Sequence, residues 1–276
     1  MEKTRIALVQ MRSEQGMLEN NLEKIESYIA QAGADGVDII CFPEMSLQGY
    51  SREKACLTSV KVPGEITGRI GRMAAGHGIV ALVGMAEDGG KEKPFITQVV
   101  FFPDGSIQKY RKTHLGKSER PFFTAGDDLP VFSAGKARFG IQICWDMHFP
   151  EVSTILSLKG AEIIFAPHAS PVIVGDRIGI WMKYMAARAY DNSVYVAACN
   201  LVGDDGCGQD FCGGSLVVDP RGNPVAESYG NGEGMLVADL DPAIINTIRM
   251  KKAKSMRHSF YLDSRRPELY GPLVER

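Results

Sequence analysis

The chain has 276 residues, of which 45% are hydrophobic and 23% charged, and its formal net charge is −2. This length is typical of one α/β domain. The near-neutral net charge argues against a nucleic-acid-binding protein, which usually carries a stripe of basic residues. No apolar run is long enough to cross a bilayer, and the first residues enter a strand pattern without a signal-peptide core. We therefore expect a cytoplasmic protein with neither nucleic-acid nor membrane partners.

Six cysteines, at positions 41, 56, 144, 199, 207 and 212, are too few to build a disulfide framework in a chain of this length. We interpret them as reduced thiols. Cys207 and Cys212 form a C-x4-C pair in a glycine-rich stretch, but no second Cys or His pair stands at zinc-like spacing. The sequence thus predicts neither a metal site nor an organic cofactor.

Short apolar runs predict strands, and several are apolar on both faces, as a sheet covered on both sides requires. They cover residues 5–11, 37–42, 79–86, 95–102, 137–143, 161–166, 193–199, 214–218 and 234–239. Amphipathic patterns predict helices over residues 18–33, 64–76, 150–159, 178–190 and 242–255. Gly33 offers a stop to the first helix, and the DPRGN sequence at 219–223 predicts a turn between two late strands.

No linker, repeat or low-complexity tract divides the chain, so a single α/β domain with helices outside the sheet is the economical interpretation. We assign this domain to residues 1–255 and treat residues 256–276 as a C-terminal tail. The tail has no clear period. Its Tyr, Leu and Pro content predicts that it packs on the domain or on a partner subunit.

Polar residues follow three of the predicted strands or their turns. Glu44 comes just after Pro43, which cannot continue a strand ladder, Lys112 follows a strand and a turn, and Cys144 ends an apolar run. Each residue also has an ordinary explanation. In that explanation, Glu44 is a solvated or helix-capping acid, Lys112 is a solvated surface lysine, and Cys144 is an inert thiol in the core.

The three side chains make chemical sense if they converge at one edge of a sheet. A carboxylate can take the thiol proton, and a neighbouring cation can stabilise a thiolate and then an oxyanion. A Ser-His-Asp alternative is not indicated, since the chain has no G-x-S-x-G motif. The combination favours a cysteine nucleophile over an inert thiol.

Several sequence blocks together carry a resemblance to a known family. They are FPE at 42–44, YRKTHL at 110–115, FTAGD at 123–127, CWDMHFPE at 144–151, GGSLVVDPRGNPVAE at 213–227 and RRPELY at 265–270. In these blocks, which span nearly the whole chain, the sequence resembles the nitrilase superfamily of carbon–nitrogen hydrolases, in particular its amidase and N-carbamoyl amidohydrolase branch. The resemblance implies a single-domain, four-layer α-β-β-α sandwich and a Glu-Lys-Cys triad.

By this resemblance, Glu44 is the general base, Lys112 the oxyanion stabiliser and Cys144 the nucleophile. Glu119 matches a second glutamate that orients the lysine or the substrate, although it could also be a surface acid. The backbone N–H of Trp145 would complete the oxyanion hole.

The segment after the cysteine predicts a helix that begins near Pro150. Glu151 in its first turn suits the helix dipole, and we interpret Asp146 and Glu151 as structural. A helix N-terminus near Cys144 is expected to depress the pKa of its thiol.

The resemblance also suggests which residues face the substrate. The candidates for substrate binding are Trp145, His148, His168 and Asn200. His168 could equally be a loop histidine bonded to the backbone. Arg188 could bind a substrate carboxylate, but pairing with Asp191 on the same helix is favoured.

We expect hydrolysis of a small amide or N-carbamoyl amine, with release of ammonia through a cysteine thioester. CWD followed by FPE resembles the carbamoylase and general amidase branches more than the ω-amidase-like branch, in which Tyr commonly follows the cysteine. The alternatives are a nitrilase acting on a small nitrile, a non-catalytic interaction member of the fold, a glutaminase-like ammonia supplier and an acyltransferase. The resemblance further implies a homodimer or larger homo-oligomer, formed through the helix after the cysteine and the tail.

Overall fold

The computed structural model describes residues 1–249 and 260–275. Its two large β-sheets lie face to face, and a third sheet has only two strands. The strands are β1 (Thr4–Gln10), β2 (Ile39–Cys41), β3 (Val60–Lys61), β4 (Val80–Asp88), β5 (Phe95–Phe101), β6 (Ile107–Arg111), β7 (Phe132–Ser133), β8 (Arg138–Ile141), β9 (Ile163–His168), β10 (Tyr195–Asn200), β11 (Val202–Asp204), β12 (Asp210–Cys212), β13 (Ser215–Val218), β14 (Pro224–Ser228) and β15 (Gly234–Leu240). The helices are α1 (Leu18–Ala34), α2 (Ala55–Thr58), α3 (Glu65–Gly76), α4 (Pro150–Leu158), α5 (Arg177–Asn192) and α6 (Pro242–Arg249).

The first sheet has the order β15-β1-β2-β4-β5-β6, with β3 beside β4, and the second has the order β14-β13-β10-β9-β8-β7. In the first sheet β1, β2 and β4 are parallel, and in the second β8, β9 and β10 are parallel. Parallel neighbours end at the same edge, so each sheet gathers the carboxyl ends of its central strands.

Three apolar clusters define the layers of the fold. One cluster lies between the sheets and joins Leu8 of the first sheet to Phe165 of the second. Another packs α1 and α3 on the outer face of the first sheet, through Ile25 and Ile70. The third packs α4 and α5 on the outer face of the second sheet, with Trp181 fully buried. The predicted four-layer α-β-β-α sandwich is confirmed.

The predicted elements occur at the expected places, with some differences at their ends. α1 continues to Ala34, and the left-handed residue after it is Gly36, with φ of 67°, rather than Gly33. Gly33 instead permits close packing, because a Cβ there would stand 2.8 Å from the His77 Cβ. β6 was not predicted as a strand. Residues 250–255 of the last predicted helix lie outside the described residues.

The described part of the tail, residues 260–275, forms short 3-10 turns and contacts the domain. The Tyr261 hydroxyl lies 2.9 Å from that of Tyr190 on α5, and Leu262 is buried. Ile155 and Leu158 of α4 stay exposed. The boundary at residue 255 and the homo-oligomer remain predictions. No helix within residues 1–249 and 260–275 combines the length and apolarity needed to span a membrane.

The turn after β2 depends on a glycine in the neighbouring strand. Met45 in this turn has φ of 51°, a left-handed conformation, and the Leu47 N–H donates to the Gly84 carbonyl of β4. A Cβ on Gly84 would overlap the Pro43 carbonyl oxygen and stand 2.6 Å from the Met45 nitrogen. Only glycine therefore lets β4 run this close to the backbone that presents Glu44.

We expect Gly84→Ala to lower the free energy of unfolding by about 2–4 kcal/mol, because the added methyl group meets backbone rather than a flexible side chain. Urea unfolding followed by circular dichroism measures this loss. Gly76→Ala, at an exposed position with nothing within 4 Å of the added Cβ, is the matched control and should be neutral or slightly stabilising. Equal stability of the two variants would contradict the close approach.

Candidate active site

The predicted catalytic side chains meet where strands from both sheets end. β2 leads into Glu44, β6 leads into Lys112, and β8 leads through a short connection to Cys144, while β9 ends at His168. A pocket of about 890 Å³ opens at this edge, and Lys112, Cys144 and His168 are part of its lining. The sequence-based expectation that the three strand-end residues converge is thus matched by their placement.

A buried ammonium group lies between two carboxylates. Lys112 Nζ donates to Glu44 Oε1 and to Glu119 Oε1, each at 2.7 Å. Lys112 and Glu44 are 1% exposed and Glu119 is 5% exposed, so Glu119 is not a surface acid. The second oxygen of Glu44 accepts a hydrogen bond from the backbone N–H of Ala169 at 3.1 Å, which links the two sheets.

Glu119 is itself held by two further donors. Its Oε2 accepts the backbone N–H of Gly116 at 2.6 Å, and its Oε1 accepts the Tyr50 hydroxyl at 2.9 Å. Sequence reasoning did not identify Tyr50, which lies near the end of a long turn without a periodic signal. These contacts fix the carboxylate that in turn fixes one side of the Lys112 ammonium.

Cys144 sits in a left-handed backbone conformation, with φ of 44°, at the start of a 3-10 turn. Non-glycine residues in this region are uncommon and concentrate at functional sites. The thiol lies 3.9 Å from the Ser170 hydroxyl. Burial, with the carboxylates of Glu44 and Glu119, raises the pKa of Cys144 to about 12, against the opposing effect of Lys112. The expectation of a depressed thiol pKa is therefore wrong, because burial and the two carboxylates favour the neutral thiol.

Glu44 and Lys112 respond to the same environment. Burial raises the pKa of Glu44 to about 7, with Lys112 opposing this rise and Glu119 adding to it. Burial alone would lower the pKa of Lys112, but the negative groups around it, led by Glu44, raise it well above its usual value. Near neutral pH the site thus contains a permanent cation, a neutral thiol and a carboxyl group that titrates.

Asp146 ties the cysteine turn to the lysine segment. Its carboxylate is fully buried and accepts the Tyr110 hydroxyl at 2.7 Å, the His114 backbone N–H at 2.8 Å and the Ile143 backbone N–H at 2.9 Å. Tyr110 and His114 flank Lys112, and Ile143 precedes Cys144. The interpretation of Asp146 as structural is consistent with these bonds, which fix the two catalytic segments relative to each other.

Three of the four predicted binding residues line the pocket: Trp145, which is 43% exposed, His148 and His168. His168 Nδ1 lies 2.7 Å from the Ala166 carbonyl oxygen, and burial lowers the pKa of His168 to about 3. The neutral ring donates through Nδ1, which leaves Nε2 as an acceptor 3.5 Å from the Tyr184 hydroxyl. His168 therefore lines the pocket and is also hydrogen-bonded to the backbone, so the two interpretations made from the sequence do not exclude each other.

Asn200 lies behind the pocket wall rather than in it. Its side chain is fully buried, its Oδ1 accepts the Ser170 N–H at 2.7 Å, and its Nδ2 donates to the Gly213 carbonyl at 2.9 Å. Asn200 thus acts on the pocket by holding Ser170. Substrate contact by Asn200 remains a prediction that these bonds do not favour.

Arg188 is outside the pocket lining, and the acidic groups whose charge acts on it are those of Asp191 and Glu151. The segment 166–189, which the sequence predicts to line the pocket, contributes Ser170, Arg177 and Tyr184 to the lining, although none of the three was singled out as a binding residue. A signal existed for Arg177. It is a cation at the start of an amphipathic helix, directly after an Asp that can cap that helix.

The six cysteines are free thiols. Cys207 lies on the surface near Lys54 Nζ, at 3.3 Å, whereas Cys212 lies behind the pocket and contacts Arg177. The pair therefore does not share one site. Across residues 1–249 and 260–275, His, Cys, Asp and Glu side chains do not gather in a group of three that could hold a metal ion.

Comparison with known proteins agrees with this fold. Residues 5–250 match the family model described as carbon-nitrogen hydrolase, and the chain belongs to this family, within the nitrilase superfamily. It is 32% identical to a nitrilase of Pyrococcus abyssi, over 96% of this chain and 98% of that protein. It is 31% identical to omega-amidase NIT2 of Xenopus tropicalis, over 95% of this chain and 98% of that protein.

Among solved structures, an amidase from Nesterenkonia sp. superposes with a TM-score of 0.83 at 29% identity, over 98% of this chain and 96% of that one. One structure of a variant of this amidase holds butyramide, and another shows covalent addition of the acetamide moiety of fluoroacetamide at its active-site cysteine. The chain described here is accordingly a thiol-dependent carbon–nitrogen hydrolase that acts on amides.

With Glu44 as general base, kcat/KM should rise with pH through a midpoint near 7, because the carboxyl group accepts a proton only when ionised. Glu119→Gln should move this midpoint to lower pH, since the Glu119 charge contributes to the raised pKa of Glu44. It should also lower kcat, because Lys112 loses a charged partner. A pH profile of initial rates measures both effects. An unchanged midpoint in Glu119→Gln would contradict the coupling of the two carboxylates.

We expect Asp146→Asn to lower both stability and kcat, because an amide cannot accept all the hydrogen bonds that the buried carboxylate accepts. The loss of unfolding free energy should be about 2–4 kcal/mol. Chemical denaturation and steady-state kinetics provide the two measurements. Glu151→Gln, at an exposed position of α4, is the matched control and should change neither by much. Wild-type stability in Asp146→Asn would mean that the network does not join the two segments.

Proposed function

We propose that this chain hydrolyses a small amide or N-carbamoyl amine through a cysteine thioester and releases ammonia. The observation that carries the proposal is the Lys112 ammonium, held 2.7 Å from both Glu44 and Glu119 at the floor of the pocket that contains Cys144. The cation and the nucleophile thus line one cavity, and the proposed base, Glu44, is bonded directly to the cation. This is the set that acyl transfer to a thiol requires.

In the first step, the Cys144 sulfur attacks the amide carbon and its proton passes to Glu44. The raised pKa of the thiol supports proton transfer during attack, rather than a thiolate formed beforehand. Two of the three Lys112 N–H bonds point to carboxylates, which leaves one for the developing oxyanion. The backbone N–H of Trp145 is the second proposed donor to that oxygen.

In the second step, the carbon–nitrogen bond breaks and Glu44 gives its proton to the leaving nitrogen. From a primary amide, ammonia departs and a thioester remains. From an N-carbamoyl amine, the amine departs and an S-carbamoyl group remains, and its hydrolysis gives carbamic acid, which releases ammonia and CO2. Water then attacks the thioester carbon, with Glu44 accepting a proton from it and returning this proton to the sulfur. Each proton that Glu44 takes is released within the cycle. A carboxyl group with a pKa near 7 is suited to both directions of transfer at neutral pH.

Amides are favoured over nitriles by the solved neighbour, an amidase whose variant holds butyramide. Relatives with similar identity carry the names nitrilase and omega-amidase, so sequence similarity does not separate these substrates. The N-carbamoyl amine remains part of the proposal on the CWD and FPE blocks that suggested it.

We expect ammonia from a panel of aliphatic amides and N-carbamoyl compounds, and none from the matching nitriles. Cys144→Ala should lower the rate at least about 10⁴-fold without loss of the folded state, because the thioester cannot form. Intact-mass spectrometry should detect the acyl adduct in the wild type and not in the variant. Cys56→Ala, at an exposed thiol, is the matched control. Ammonia from nitriles alone, or activity retained by Cys144→Ala, would overturn the proposal.

A further inference from the structure

A serine hydroxyl touches the sulfur atom of Cys144, and the mechanism above gives it no role. Ser170 follows β9, is 5% exposed and is part of the pocket lining. Its Oγ lies 3.9 Å from Cys144 Sγ. Within residues 1–249 and 260–275, this contact is the only one of hydrogen-bond type that the hydroxyl makes. The hydroxyl is therefore not used to hold the fold together, and it lies beside the reacting atom.

The main chain of Ser170 is held by two other strands. Its N–H donates to Asn200 Oδ1 at 2.7 Å, and its carbonyl accepts Asn200 Nδ2 at 3.2 Å. The same carbonyl accepts the backbone N–H of Cys212 at 3.3 Å and the Cys212 thiol at 3.2 Å. Asn200 is the last residue of β10, and Cys212 is the last residue of β12. The hydroxyl is thus placed before a substrate arrives, as a catalytic group should be.

Cys144 is fixed on its own side of the contact. Its backbone is left-handed, and the Asp146 carboxylate closes the turn around it by accepting the Ile143 N–H at 2.9 Å. The side chain of Gln142 donates to the Asp146 carbonyl at 3.1 Å. Cys144 follows β8 and Ser170 follows β9, which are parallel neighbours in the second sheet. The distance between the hydroxyl and the sulfur is therefore determined within one sheet.

The N–H bonds of the catalytic cation are assigned to atoms other than the sulfur. Lys112 donates to Glu44 and to Glu119, and its third N–H bond is assigned to the oxyanion. Burial and the two carboxylates raise the pKa of the Cys144 thiol, whereas Lys112 and the hydrogen bond from Ser170 act in the opposite direction. An uncharged hydroxyl can stabilise a negative sulfur without taking a hydrogen bond away from the ammonium.

We propose that Ser170 is a further catalytic residue, whose hydroxyl donates a hydrogen bond to the Cys144 sulfur while that atom carries negative charge. This charge develops when Glu44 takes the thiol proton during attack. It develops again when the carbon–sulfur bond breaks and its electron pair goes to sulfur, before Glu44 returns the proton. The contact is long in the free protein because a neutral thiol is a weak acceptor, and catalytic hydrogen bonds shorten as charge develops. This inference rests on the proposed amide hydrolysis and adds a residue to its mechanism.

The first measurement is the rate at which iodoacetamide alkylates Cys144 at pH 7, followed by peptide mass spectrometry. The sulfur bonds to the methylene carbon, iodide leaves and the thiol proton is lost, so the rate depends on the thiolate and needs no turnover. Loss of a hydrogen bond to a charged group should lower the thiolate fraction about 10- to 100-fold. The remaining thiolate is more basic and more nucleophilic, which recovers about half of this loss on a logarithmic scale. We therefore expect Ser170→Ala to slow the alkylation about 3- to 10-fold.

Three comparisons control this measurement. Ser118→Ala makes the same change at an exposed position of the same pocket lining and should leave the alkylation rate of Cys144 unchanged. Ser170→Thr keeps a hydroxyl and should react faster than Ser170→Ala. Cys56, an exposed thiol in the same sample, should react at one rate in all variants. A wild-type alkylation rate in Ser170→Ala, or equal slowing in Ser118→Ala, overturns the proposal.

Turnover with added hydroxylamine separates a role at the sulfur from a role at the attacking water. Water and hydroxylamine attack the same thioester carbon and release the same sulfur, giving the carboxylic acid and the hydroxamic acid. Ser170→Ala should lower kcat/KM for an amide about 3- to 10-fold, because the same thiol must lose its proton, and should keep the wild-type ratio of hydroxamic to carboxylic acid. A ratio that rises several-fold would place the hydroxyl on the water and overturn its assignment to sulfur.

These failures differ from failure of the proposed function, because alkylation involves no amide hydrolysis. If the wild type releases ammonia from amides while Ser170→Ala is alkylated at the wild-type rate, amide hydrolysis stands and only the role of Ser170 is wrong. If the panel of amides and N-carbamoyl compounds releases no ammonia from the wild type, the proposed function itself is wrong, and the catalytic role of Ser170 is overturned with it.

Discussion

The buried ammonium of Lys112 is the interaction on which the rest of the site depends. Three charged groups removed from water each carry a desolvation penalty of several kcal/mol, and only short, well-directed hydrogen bonds offset it. Here the ammonium contacts two carboxylates at 2.7 Å, and backbone N–H groups satisfy the remaining carboxylate oxygens. Removal of Lys112 would leave two buried carboxylates without their cation, and removal of either carboxylate would leave the ammonium with one partner instead of two, so the fold around them has little freedom to shift.

Glu44, Lys112 and Cys144 come from separate layers of the protein. Glu44 and Lys112 follow strands of the first sheet, whereas Ala169, which donates to Glu44, follows β9 of the second sheet. Cys144 belongs to the second sheet as well, so the position of the base relative to the thiol depends on how the two sheets pack. A tight inter-sheet core with residues such as Leu8 and Phe165 is therefore a condition for the chemistry, as well as for stability.

The charges of Lys112, Glu44 and Glu119 also determine how the Cys144 thiol can react. Two carboxylates face one ammonium, so a thiolate would add a third negative charge to a site with a single cation. The resting thiol stays neutral, with a pKa well above that of Glu44. In the mechanism that we propose, proton transfer therefore accompanies carbon–sulfur bond formation, which removes the negative charge from sulfur.

The sequence predicted the parts of this arrangement that have local signals. Glu44 and Cys144 follow buried runs that end abruptly, and the family blocks placed Lys112 and Glu119 beside them. β6 was missed because its five residues are mostly half-exposed and lack a continuous apolar run. The thiol pKa was predicted in the wrong direction because it depends on distances to carboxylates from other strands, which a sequence does not contain. Asn200 was placed just after the strand predicted over 193–199, whereas β10 includes it as its last residue, and its burial behind Ser170 depends on tertiary packing.

Arg177 shows how the two ends of the pocket differ in what the sequence reveals. The reacting end needs particular residue types at strand ends, and such requirements leave motifs. The opposite wall contains Arg177, which the start of α5, the Trp181 ring and Cys212 hold in place. None of these three has a sequence pattern tied to binding, and the predicted helix began one residue too late to include the arginine.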